Sequence, residues 1–143
     1  MQTLTFSLGI SVALLLLAIG LLHGYWAFGG RWASRVVIPE IGGNSAFRPS
    51  VAATVAVAFA LFTAAALVAG RLNLWQSNLL PGWVFRVGTW VLAGVFLVRA
   101  IGDLRLVGFF KKVRDTSFAR WDTRLFSPLC LCIGLVMILL AIY

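Results

Sequence analysis

Few ionisable side chains in this chain fall inside or against apolar sequence: His23 (the one histidine), Glu40, Arg99, Asp103 and Asp122. An ionisable group in a membrane span costs ~3 kcal/mol at mid-membrane on insertion scales, so each of these marks a candidate site by default. Arg99 and Asp103 stand one helical turn apart on one face, where mutual pairing satisfies both. An acid–base site could join His23 to Glu40 or Asp103, although no spacing supports it. A single histidine excludes haem with two axial histidines. The familiar metal motifs, the nucleophile elbow and the phosphate loop are missing as well. No catalytic residue and no cofactor is therefore nominated. The available chemistry is binding, of a small ligand or an anionic lipid headgroup, by His23, Glu40, Arg99, Asp103 and Asp122. Each also has a plainer role. The Arg99–Asp103 pair can be a structural staple, His23 a helix–helix hydrogen-bond partner, and Asp122, ahead of Thr123 and Ser127, a helix-start residue.

The elements that must position these groups follow from composition. Of 143 residues, 62% are hydrophobic and 11% charged, against about 25% charged in soluble domains. The apolar residues come in long blocks, as membrane spans do. Four spans are expected, at about 4–28, 50–70, 84–106 and 127–143, making one all-α membrane domain over 1–143, a polytopic four-helix bundle. The first block resembles a signal peptide, but no Lys or Arg precedes it and it outruns the roughly 7–15 residues of a signal core; it is expected to stay as a membrane helix. Gly20 and Gly24 form a small-xxx-small pair, and Ala52, Ala56, Ala60 and Ala64 recur every fourth residue as a smooth stripe for another helix. Cys130 and Cys132, two apart, point in different directions on a helix and are read as small apolar groups rather than a redox pair.

The connections carry the charge. Gly29 to Pro49 is punctuated by Pro39, Gly42, Gly43 and Asn44, and with Val36, Val37, Ile38 and Ile41 it is too apolar for a solvated loop; it is expected to lie at the interface. Leu72 to Trp83 is a short connection, wet at Asn73, Gln76, Ser77 and Asn78. The third mixes Phe109, Phe110, Phe118 and Trp121 with Lys111, Lys112, Arg114, Arg120 and Arg124, an amphipathic segment suited to the membrane plane and to anionic headgroups. Asp115-Thr116-Ser117 should break it and cap a short turn. The fourth span is expected to start at Ser127-Pro128, a cap with proline at the first helical position. Ten of the twelve Lys and Arg residues belong to the first and third connections or the span end beside them. That end is expected to be cytoplasmic, with both termini periplasmic. The net charge of +8 is accounted for by that bias, so nucleic acid is not expected as a partner. A membrane-protein partner, with this chain an accessory subunit, is the second expectation; a lipid-modifying enzyme using His23 as base is the third.

The chain resembles a family of small bacterial four-helix membrane proteins known only as a numbered domain of unknown function. The stretches that carry the resemblance are His23-Gly-Tyr-Trp-Ala-Phe-Gly-Gly30, Ile38-Pro-Glu40, Arg99-Ala-Ile-Gly-Asp103 with Val107-Gly-Phe-Phe-Lys111, and Phe118-Ala-Arg-Trp-Asp-Thr-Arg124 with Ser127-Pro-Leu-Cys130. The resemblance implies a compact four-helix membrane fold and no assigned activity.

Overall fold

Long runs of Leu, Val, Ala and Ile without an interior proline favour helix, and in hydrocarbon helix is the form that satisfies every backbone N–H and C=O within the segment. A computed structural model of the protein describes residues 2–41, 44–75 and 80–143. The expectations resting on Gly42, Gly43, Gln76, Ser77 and Asn78 lie outside the described residues. The elements are α1 (Gln2–Ala27), α2 (Ser34–Val37), a two-residue antiparallel pair β1 (Glu40–Ile41) and β2 (Asn44–Ser45), α3 (Val51–Arg71), α4 (Gly82–Ile101), α5 (Ser117–Trp121), a π-helical segment (Asp122–Phe126) and α6 (Ser127–Ile142). Four helical stretches are long and apolar enough to cross a membrane: Thr3–Ala27, Val51–Arg71, Gly82–Ile101 and Ser117–Ile142. The protein is an all-α polytopic membrane protein with a four-helix bundle.

Helices α1 and α3 pack as one pair and α4 and α6 as another, with α3 on α4 and α1 on α6 closing the ring. Val12, Ala13, Leu16, Ala64, Ala65, Val68, Ala93, Ile133, Met137 and Leu140 fill its axis. Close approach uses glycine where α6 meets α4: a Cβ at Gly134 would stand 2.9 Å from Leu97 and 3.4 Å from the Ala93 carbonyl. Gly20 is likewise covered, by the Phe62 ring of α3, whereas nothing approaches Gly24. The alanine stripe is split. Ala64 is buried, but Ala52, Ala56 and Ala60 face outward, and the inward face of α3 runs through Ala58, Ala65 and Val68.

Two helix ends differ from expectation. The third span stops at Ile101 rather than near residue 106, because Gly102 turns the chain at φ 87°, a conformation open to glycine at little steric cost. The fourth crossing helix starts at Ser117, capped by Thr116 Oγ1 accepting from the Ala119 N–H, and runs through Pro128 without a break. A helix-interior proline lacks an N–H and crowds the carbonyl four residues back. The π segment immediately before it provides a wider turn, with the Ser127 N–H donating to the Asp122 carbonyl. Ser127 is accordingly a buried residue inside a helix and not its cap.

The first and third connections occupy one end of the bundle, where α2 packs against α5.

Candidate functional site

Asp122 sits on the first turn of the π segment, fully buried. Its Oδ1 accepts from Arg99 Nη2 at 2.9 Å, and its Oδ2 accepts from Lys111 Nζ at 2.9 Å and from the Gly108 N–H at 2.8 Å. Lys111 is buried with it, 2% exposed, and spends its three ammonium donors on Asp122, the Gly108 carbonyl at 2.8 Å and Thr123 Oγ1 at 2.7 Å. Such completeness is what a charge needs when it leaves water. Arg99 approaches from the last turn of α4, its side chain 35% exposed. The centre thus sets two cations against one acid. One guanidinium nitrogen, Arg99 Nη1, is sealed from solvent and has no hydrogen-bond partner; neither does the buried Ser127 hydroxyl.

A tight loop presents Lys111 and Gly108 to Asp122. Gly102 and Gly108 both hold positive φ, and a Cβ on either would overlap backbone of the other's strand of the loop, at Val107 or Ile101. The Phe109 N–H donates to the Ala100 carbonyl, and the N–H groups of Lys112 and Val113 donate to that of Arg105. Asp103 Oδ1 fills the loop, accepting from the N–H groups of Arg105, Leu106 and Val107 at 2.9, 2.7 and 2.9 Å. Desolvation, the largest single influence on this carboxyl, pushes its pKa up, but these N–H donors, with that of Asp103 itself, together outweigh it and hold it below its ordinary 3.8.

The expected pairing of Arg99 with Asp103 is therefore corrected. Gly102 ends the helix between them, so the one-turn spacing never forms, and Arg99 takes Asp122 instead. Asp122 is no helix-start residue but the anchor of the centre. Lys111, expected at the headgroups, is turned inward; Lys112, Arg114, Arg120 and Arg124 are exposed. His23 and Glu40 make no hydrogen bond to this centre. His23 Nδ1 lies 2.8 Å from the Ile19 carbonyl of its own helix, and its ring meets Trp26 edge-on at 5.0 Å. Glu40 belongs to β1 and lines a small hollow of about 160 Å³ with Ser34, Ile38 and Ser45. Both cysteines are free, and no cluster of three metal-ligating side chains exists among the described residues.

The glycine at 102 is the signal that would have exposed the helix end, since glycine just past the last periodic residue is a stop. Nothing local in the sequence points from Lys111 to Asp122. No curated protein and no solved structure matches this chain. A family model described as protein of unknown function (DUF3995) matches residues 16–137, and the chain belongs to that family.

Proposed function

We propose that this membrane protein binds the anionic headgroup of a lipid at the Arg99–Asp122–Lys111 centre, on the cytoplasmic side of a bacterial inner membrane. One observation carries the reading: Arg99 Nη1, held in place because Nη2 is fixed on Asp122, is a buried donor without an acceptor. A buried unpaired donor of a charged group is costly, and a phosphate oxygen would complete it in the geometry guanidinium favours. The surplus positive charge of the centre and the exposed Lys112, Arg114, Arg120 and Arg124 favour the same ligand. Asp103 drops out of the ligand set because its carboxylate already serves its own loop.

The test is thermal unfolding in detergent micelles titrated with phosphatidylglycerol or phosphatidylcholine. A ligand that binds only the folded state raises its stability. The wild type should gain from the anionic lipid alone, and Arg99→Gln should gain clearly less, while Arg86→Gln, exposed near the start of α4 and away from the centre, gains as much as wild type. Equal gains in wild type and Arg99→Gln would remove the reading.

A role as accessory subunit is favoured by a separate observation, the outward Ala52, Ala56 and Ala60 on α3. Small residues admit a second helix closely. Cysteine crosslinking at Ala56 in native membranes tests it: a discrete heteromeric adduct supports the role, and its absence argues against it. No observation favours His23 as a general base: among the described residues its ring is hydrogen-bonded to the Ile19 carbonyl and to no carboxylate.

A further inference from the structure

At the other end of the bundle, Arg71 is the last residue of α3, and its side-chain Nε has no hydrogen-bond partner among the described residues. That nitrogen is sealed from solvent. Arg71 lines a cleft of about 430 Å³ between the first turns of α1 and the last turns of α3 and α6, with Thr5, Phe6, Leu72, Asn73, Leu140 and Tyr143. We infer that this cleft is a second lipid site, holding the anionic headgroup of a bilayer phospholipid on Arg71 in the leaflet opposite the Arg99 centre.

A cation at a helix C-terminus is favoured by the helix dipole whatever surrounds it, so position alone decides nothing. The burial of Nε decides it. A guanidinium snorkelling into water would have that N–H hydrated, whereas here Nε is buried and has no hydrogen-bond partner among the described residues. No acidic side chain lies at this end, since Glu40 is in the first connection, Asp103 and Asp115 in the third and Asp122 beside them, so an anionic ligand would give Arg71 both an acceptor and a countercharge. The size suits a ligand pocket. Phe6, Leu72 and Leu140 give it an apolar wall, while Asn73 and Tyr143 provide polar groups. That combination fits a headgroup still joined to its acyl chains better than a free anion.

The two sites stand at opposite ends of helices about 30 Å long, so they load independently and this proposal does not rest on the Arg99 reading. Native mass spectrometry of the full chain, released from detergent with short-chain phosphatidylglycerol, phosphatidylcholine or glycerol 3-phosphate, tests it. Losing a charge-assisted hydrogen bond should weaken phosphatidylglycerol binding by about ten- to a hundred-fold in Arg71→Gln. Thr5→Trp, which keeps Arg71 and fills the cleft from α1, should block it as well. Arg99→Gln should leave this binding event intact. Equal affinity in wild type, Arg71→Gln and Thr5→Trp overturns the proposal. So does phosphatidylcholine binding as tightly as phosphatidylglycerol, or glycerol 3-phosphate displacing the lipid as well as the lipid itself does.

Discussion

Replacing Asp122 by Asn preserves shape and removes the one negative charge that Lys111 and Arg99 share. The two cations then fare differently. Arg99, with a side chain 35% exposed, can swing toward headgroups, so its loss of a partner is softened by screening. Lys111 cannot move. Its ammonium is enclosed, 1% exposed, and held by Gly108 and Thr123 as well as Asp122. An uncompensated buried charge costs about 3–5 kcal/mol, and that term dominates the substitution. Lys111→Met alone should cost less, about 1–3 kcal/mol, because Asp122 keeps Arg99 and the Gly108 N–H. The double substitution removes both the buried cation and its need for a partner, so it should fall short of the sum by about 1–3 kcal/mol. Equilibrium unfolding in mixed micelles, followed by far-ultraviolet circular dichroism, measures all three. A cost below about 1 kcal/mol for Asp122→Asn, or strict additivity in the double variant, would refute the account of a coupled buried pair.

Other expectations follow from the same geometry. Gly134→Val must push α6 from Leu97 and the Ala93 carbonyl and should lose about 1–3 kcal/mol by overpacking, whereas Gly94→Ala, with nothing within 4 Å, should be neutral or gain up to about 1 kcal/mol of helix propensity; thermal denaturation of the two variants separates them. Gly102→Ala and Gly108→Ala should each open the 102–109 loop, because the new methyl meets backbone and the positive φ is strained; faster amide exchange at Phe109 reports it. The Asp103 carboxyl is held below its ordinary 3.8. Its contribution is complete above the unfolded value of about 3.9 and is lost as pH falls through the lower folded value. Amide resonances of residues 105–107 should therefore titrate with a midpoint under 3.8 and stop titrating in Asp103→Asn; a midpoint at or above 3.8 would contradict the loop geometry.

Much of the architecture was legible because hydrocarbon leaves few choices. Apolar blocks of about 20 residues fixed the number of crossings, and four crossings oblige the first and third connections to share an end. What the pattern could not show was facing. Helix α3 is apolar on every side, so nothing in its residues told Ala58 and Ala65, which face in, from Ala52 and Ala56, which face out. Pro128 misled for a physical reason. A proline normally marks a helix start, and only the π segment, invisible in composition, lets the helix run through it. Arg99 and Asp103 misled because ideal spacing presumes an unbroken helix, and Gly102 breaks it. The Asp122–Lys111 contact spans eleven positions, and Lys111 is presented by a loop that two positive-φ glycines, Gly102 and Gly108, close just before it, a fold of the backbone that no periodicity encodes. Sequence reasoning did place Arg99 and Asp122 in the ligand-binding set; their direct bond came only with the structure.

The central claim is that Arg99 holds a lipid phosphate beside Asp122. Nitrogen–phosphorus dipolar NMR on guanidinium-labelled protein in phosphatidylglycerol bilayers measures that contact directly, with the Arg99 signal assigned by its loss in Arg99→Lys. Strong dephasing of the Arg99 guanidinium by lipid phosphorus is the result expected. Dephasing confined to the exposed Arg105, Arg114, Arg120 and Arg124, with none at Arg99, would contradict it.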